Sequence, residues 1–298
     1  MNIKQIPSII GLFLLAGVIH SSAAVTTWTW AAGIADNWSV TTRWTAAGSP
    51  TGAGNIIQQT STSASPSAPI TTNNVTATIG QVKNTPASGR VWTIENDGVH
   101  SLTMDNTGGG NNLFGVANSA LEYSSSGNLV VNCPLIIQNT DLDIGATGNG
   151  AGNMGIGVSA NSASITATSA RTLNFKDNGT RQISVNDSIA GSGSTISIKN
   201  VGTSTGSVWL FGTVGPNANV TQNTTTSLLG LQNSLNSYTG STTITVGTLQ
   251  LGAANSIPSV SSVSLTGVLN LAGFSDAIDG LAGAGLVTNS TATAVTKI

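Results

Sequence analysis

Along most of this chain, polar and apolar residues alternate in short runs that end at glycine or asparagine. Val75-Thr76-Ala77-Thr78-Ile79, Val91-Trp92-Thr93-Ile94 and Ser101-Leu102-Thr103-Met104 are early examples, with Gly-Asn clusters such as 106–112 between runs. Pairs at period two follow: Leu142 and Ile144, Ile165 and Ala167, Leu173 and Phe175, Ile183 and Val185, Ile196 and Ile198. Successive side chains of a strand point to opposite faces, so each pair shares one face. The pattern predicts many short strands with one buried face, joined by tight corners. The clearest stretch runs from Asn236 to Ala254. Tyr238 and Gly240 precede an alternating run through Ile244 and Val246, Gly247 breaks it, and Leu249 and Leu251 follow before Gly252. That reads as strand, corner, strand.

Repetition arranges these strands. Leu249-Gln250-Leu251-Gly252 returns as Leu269-Asn270-Leu271-Ala272, and Ile189-Ala190-Gly191-Ser192-Gly193 is similar to Leu281-Ala282-Gly283-Ala284-Gly285. A period of about 20 residues suits one solenoid coil. A sandwich or barrel would also show short strands, but its hairpins favour two-residue Asn-Gly or Asp-Gly turns. The segment 236–258 closely resembles the autotransporter-associated β-strand repeat of secreted bacterial proteins. Its core reads Asn-x-Tyr-x-Gly, an alternating strand, then Gly-x-Leu-x-Leu, and the likeness is best from Thr221 to Asn289. The resemblance implies an all-β, right-handed parallel β-helix outside the cell. It makes Tyr238, Gly240, Ile244, Val246, Gly247, Leu249, Leu251 and Gly252 the structural motif of one coil.

The first residues look different. Lys4 precedes the apolar run from Ile9 to Ile19, and Ser22 and Ala24 supply small residues for cleavage. This is the pattern of a signal peptide over 1–24, cut after Ala24. The run is shorter than the roughly 20 residues of a spanning helix, and no second span follows. No integral membrane span is therefore expected after cleavage. Residues 25–70 hold Trp28, Trp30, Trp38 and Trp44, four of the six tryptophans. They suit an N-terminal cap over the open edge of a solenoid, or an aromatic platform for sugar rings. Gly52 to Pro69 reads as a long loop or irregular first coil, and 71–298 as the β-helix itself. Leu286 to Ile298 offers no aromatic or helical cap, so a final coil is expected either to continue in a longer chain or to pair with something.

Composition narrows the chemistry. Charged residues make up 7% and hydrophobic ones 39% of 298 residues, which is too apolar for disorder and enough to build a core. A net charge of −2 and no basic patch argue against a nucleic-acid partner. The one cysteine, Cys133, sits in an apolar run and reads as a core thiol. Asp141 and Asp143 flank Leu142, so both point outward with Cα atoms about 7 Å apart. They suit a cation, a sugar or a solvated face. Arg171, Lys176, Asp177, Arg181 and Asp187 form the densest ionic patch, and a lyase base or plain surface pairing fits it. Asp276 and Asp279 read as turn residues. Past the leader, His100 is the remaining histidine, so no Ser-His-Asp set or Cys-His metal site is assembled, and 148–153 lacks the aspartates of a calcium-binding nonapeptide. No cofactor is expected. The reading is an exported, non-catalytic surface or extracellular protein in adhesion or matrix building. Its expected partners are extracellular polysaccharide or neighbouring surface proteins. The alternative is a polysaccharide-binding module, or a polysaccharide lyase or hydrolase on a β-helix.

Overall fold

In a computed structural model the chain is a parallel β-helix, described for residues 25–30, 36–46, 48, 50–60, 70–85, 91–124, 127–147, 152–158 and 164–291. The expected signal segment, 1–24, lies outside these residues. Short strands pair only with strands one coil away, always in parallel among the strands described. Two sheets of eleven strands run the length of the solenoid, the first from Thr27–Thr29 to Gly280–Ala282 and the second from Asp36–Asn37 to Leu286–Thr288. A third sheet of five strands, Ala77–Ile79 to Ser188–Gly191, closes the N-terminal half.

The core is a set of side-chain columns parallel to the axis. In the second sheet Trp92, Leu129, Met154, Ile183, Val208, Leu229, Leu249, Leu269 and Val287 stand one above another. Ile94, Val131, Ile156, Val185, Leu210, Leu231 and Leu251 form a second column beside it. Nearly all are fully buried, and each contributes roughly 1.5–3 kcal/mol by leaving water. The third sheet adds Leu102, Leu135, Ile165 and Ile189. All five period-two pairs read from the sequence point into this core.

Polar residues enter the columns only where neighbours satisfy them. The first-sheet column Val82, Leu121, Ile144, Phe175 gives way to Asn200 and Gln222, then returns to Ile244 and Leu265. Asn200 Nδ2 donates to Gln222 Oε1 at 2.9 Å, and Gln222 Nε2 donates to the Ser227 carbonyl at 2.7 Å. Beyond the third sheet, a hydrogen-bonded corner replaces the strand. Asn236 accepts from the Val214 amide at 2.8 Å and donates to the Ser256 carbonyl at 2.8 Å, while Asp276 accepts from Ile257 N at 3.0 Å. Tyr238 lies buried beside this corner, its hydroxyl 2.8 Å from Thr242 Oγ1.

Four expectations change. The period of about 20 residues holds where Leu249 pairs with Leu269, but coils are longer towards the N-terminus, where Gln81 pairs with Ala120 across an inserted loop. Ile189–Gly193 and Leu281–Gly285 are not equivalent coil positions. The first begins in the third sheet and the second in the first sheet, and Ile189 is buried whereas Leu281 is 46% exposed. Val246 does not face inward with Ile244: the register shifts at Gln222/Asn223 and leaves it 36% exposed. Strand pairing also begins earlier than expected, with Thr27–Thr29 on Ile56–Gln59 inside the segment read as irregular. Gly247 turns the first-sheet strand into the second with φ +74°, and a Cβ there would stand 1.8 Å from the Thr224 carbonyl oxygen.

Leu249→Asp should destabilise the coil by more than ~3 kcal/mol, because it places an unpaired charge in a column. Gln250→Asp, on the outer face, should stay within about 0.5 kcal/mol. Urea melts of both variants check this, and equal losses would reverse the inside-outside assignment.

Candidate functional site: a carboxylate–lysine cluster beneath the 105–118 loop

Outward positions of the first sheet carry Lys83, Glu122, Asp143, Asn174 and Lys176. Register places them together: Lys83 pairs with Glu122, Asp143 with Asn174, and Gly145 opposite Glu122 leaves room between them. They do not face open solvent. The 105–118 segment, inserted between the Leu102–Met104 and Ser119–Ser124 strands, folds over them. Its own polar groups shape it. Asn106 Nδ2 donates to the Gly110 and Asn118 carbonyls, Asp105 accepts from Thr107 N at 2.9 Å, and Asn112 Oδ1 accepts from Phe114 N at 3.0 Å.

Asp143 is the centre. Its Oδ1 accepts from Asn118 Nδ2 at 3.1 Å and Asn174 Nδ2 at 2.9 Å. Its Oδ2 accepts from Asn112 Nδ2 at 2.9 Å and Lys176 Nζ at 2.8 Å. Four donors match the roughly four lone-pair directions of a carboxylate. Lys176 Nζ also sits 5.4 Å from the centroid of the Phe114 ring. Glu122 is placed differently. Its Oε1 accepts from Leu113 N at 2.7 Å, whereas Oε2 is enclosed without a hydrogen bond, with Lys83 Nζ 3.8 Å away. Burial pushes the Glu122 carboxyl up to about 7, against the opposing pull of the Leu113 amide and Lys83. Lys176 reaches the depression of about 310 Å³ between Phe114 and Thr203, so it is the cluster member with access to a ligand.

The sequence-derived candidates are distributed otherwise. Asp143 points outward, as parity requires, but it is fully buried and occupied. It shares no site with Asp141, whose Oδ1 accepts from Thr172 N at 2.8 Å. Trp28, Trp30, Trp38 and Trp44 are each 6% exposed or less, with Trp30, Trp38 and Trp28 packed edge-on around Trp44 at centroid distances of 4.7, 5.8 and 6.3 Å. They fill the first described coil and present no ring face to a sugar. Lys176 pairs with Asp143 rather than Asp177. Asp177 is buried at a corner, where Gly179 N donates to it and desolvation pushes it up to about 6. Cys133 is buried and its thiol is raised by desolvation, so it is not a poised nucleophile. His100 pairs with Asp97 at 2.7 Å. Among the described residues, no three His, Cys, Asp or Glu side chains gather to hold a metal. Sequence reading missed Glu122, Lys83 and the covering loop. The available signal was the length of the Asn/Gly run between Met104 and Ser119, longer than a corner needs.

Two outcomes follow. Glu122 binds a proton in the fold up to about pH 7 but, unfolded, releases it near the ordinary glutamate value of 4.5. The native state then holds more protons across that window, so stability falls as pH rises from 4.5 to 7. The slope is at most ~1.4 kcal/mol per pH unit. Glu122→Gln should remove its share of the slope in urea melts between those pH values, leaving a smaller one from Asp177; an unchanged slope overturns the assignment. Asp143→Ala strands Lys176 and three amides, and should raise amide exchange across 105–118 about tenfold or more while leaving 248–288 unchanged. No protein-family model, curated protein or solved structure matches the chain, so its function has to be read from its own residues.

Proposed function

We propose that this chain is an exported, non-catalytic β-helical protein that presents a long, weakly charged wall for adhesion or matrix building at the cell surface. One observation carries the reading. The carboxylates that converge on one outer face are closed off beneath a loop: every lone-pair direction of Asp143 is taken within the chain, and Glu122, whose Oε2 has no hydrogen bond, is fully buried. General acid–base catalysis needs a group with a free proton site within reach of substrate, and Asp143 offers none. The alternating outer faces are otherwise dominated by hydroxyl and amide side chains. The leader-like first segment and the resemblance of 236–258 to repeats of secreted bacterial passengers support export.

The second reading, a polysaccharide lyase or hydrolase, has its best support in Lys176, which borders a depression beside Phe114. Incubating the purified chain from Val25 with neutral and acidic polysaccharides, with and without calcium, should release no new reducing ends or unsaturated products. Cleavage that disappears in Lys176→Ala would replace the wall by the enzyme.

A further inference from the structure

We propose that the outer face of the second sheet, centred on Trp209, is a binding strip for a neutral polysaccharide. The proposal rests on the wall reading and names the ligand class that the wall would take.

Trp209 stands apart from the other five tryptophans. Trp28, Trp30, Trp38, Trp44 and Trp92 are buried, while Trp209 points out of the Ser207–Leu210 strand and is only half-buried. It is held in place from two sides. Nε1 donates to Ser207 Oγ at 2.8 Å. The six-membered ring lies across the next strand at Gly230, where a Cβ would come within 2.0 Å of Cε3 and 2.2 Å of Cζ3. Glycine at 230 therefore has a reason beyond backbone conformation: it lets the indole lie down on the sheet. The ring is seated against the backbone at Gly230 and stays partly exposed. The side chain is ordered before any ligand arrives, so little entropy remains to be lost on binding.

The surroundings define what fits. Of two depressions on this face, the first, of about 360 Å³, does not touch the indole, and Trp209 itself lines the second, of about 280 Å³; Gln182 and Phe211 line both. Asn153, Ser184 and Asn186 supply polar groups in the first, and Gln232 in the second. None of the residues lining either depression is charged. Phe211, on the same strand face as Trp209, is 41% exposed. Amides, hydroxyls and exposed aromatic faces together match a polyhydroxylated ring: hydroxyls meet amides and the C–H face meets the indole. A nucleic acid or an anionic polymer would call for cations that are missing here.

The strip also has the right direction. Ser184, Trp209, Gly230, Gln250 and Asn270 follow one another in register, one per coil. Coils are ~4.8 Å apart, so equivalent polar groups recur along the axis at about the scale of a sugar unit. Asn270 Nδ2 donates to Gln250 Oε1 at 3.2 Å, continuing an amide ladder beyond the aromatic platform. A linear glycan lying along the axis meets repeated contacts, whereas one crossing it meets a single rung.

The test uses the chain from Val25 and hexamers of β-1,4-linked glucose, xylose and mannose, with oligogalacturonate as the charged probe. Because the other five indoles are buried, saturable changes in tryptophan emission report Trp209. At least one neutral hexamer should shift the emission, with oligogalacturonate binding at least about tenfold more weakly. By calorimetry Trp209→Ala should weaken binding about tenfold or more, and Gln232→Ala several-fold. Trp209→Phe should retain part of the affinity, and Lys199→Ala, on the outer face of the first sheet, all of it. The proposal is overturned if no neutral hexamer binds at millimolar concentration, if Trp209→Ala binds as wild type, or if the anionic probe binds better. Absence of binding without cleavage would leave the wall standing and remove only its ligand. Cleavage lost in Lys176→Ala would remove the wall's non-catalytic reading and leave the strip to be judged by Trp209→Ala.

Discussion

Parallel pairing without offset is the constraint from which the rest follows. Each strand hydrogen-bonds to the strand one coil away, so every side chain sits on its counterpart in the next coil. A column is as good as its worst member. Trp92 to Val287 in the second sheet shows the solution: an apolar residue at the same position through nine coils, aliphatic at every one after Trp92 except for the thioether Met154. The register departs from this rule at Gln222/Asn223, which turns Val246 outward while Thr242 and Ile244 keep their columns.

Polar residues obey the rule by pairing along the axis instead of across the core. Asn200 and Gln222 share a column because Asn200 Nδ2 donates to Gln222 Oε1 while Gln222 Nε2 donates to the Thr224 and Ser227 carbonyls, and a buried amide left unpaired there would cost about 1–3 kcal/mol. The corner ladder of Asn236, Ser256 and Asp276 does the same work for the backbone once the third sheet has ended. Asp276 is buried there, and desolvation raises its carboxyl against three backbone donors. Trp209 and Gly230 extend the logic to the outer face, where a large residue is allowed because its neighbour one coil on has no side chain.

The cluster beneath the 105–118 loop shows how two carboxylates on one sheet face acquire different roles. Asp143 is surrounded by four donors, whereas one oxygen of Glu122 has none. Both are enclosed, so what separates them is the set of donors, which come from the loop and from neighbouring coils rather than from the strand itself.

Alternation along each strand was enough to place Leu142, Leu173, Ile183 and Leu249 inside and Asp143 and Lys176 outside, because a residue's face follows its parity within its own strand until the register shifts, as it does before Val246. The recurrence of Leu-x-Leu was enough to order the C-terminal coils, because their corners are short and uniform. Local sequence holds no information on what lies over an outward face. Whether Asp143 meets water or Asn112, and whether Trp209 stands up or lies on Gly230, depends on residues far along the chain. Nor did sequence show that Trp28 and its three neighbours bury one another, since their orientation comes from mutual packing around Trp44. Parity was written in the chain, and accessibility was decided only when coils and loop came together.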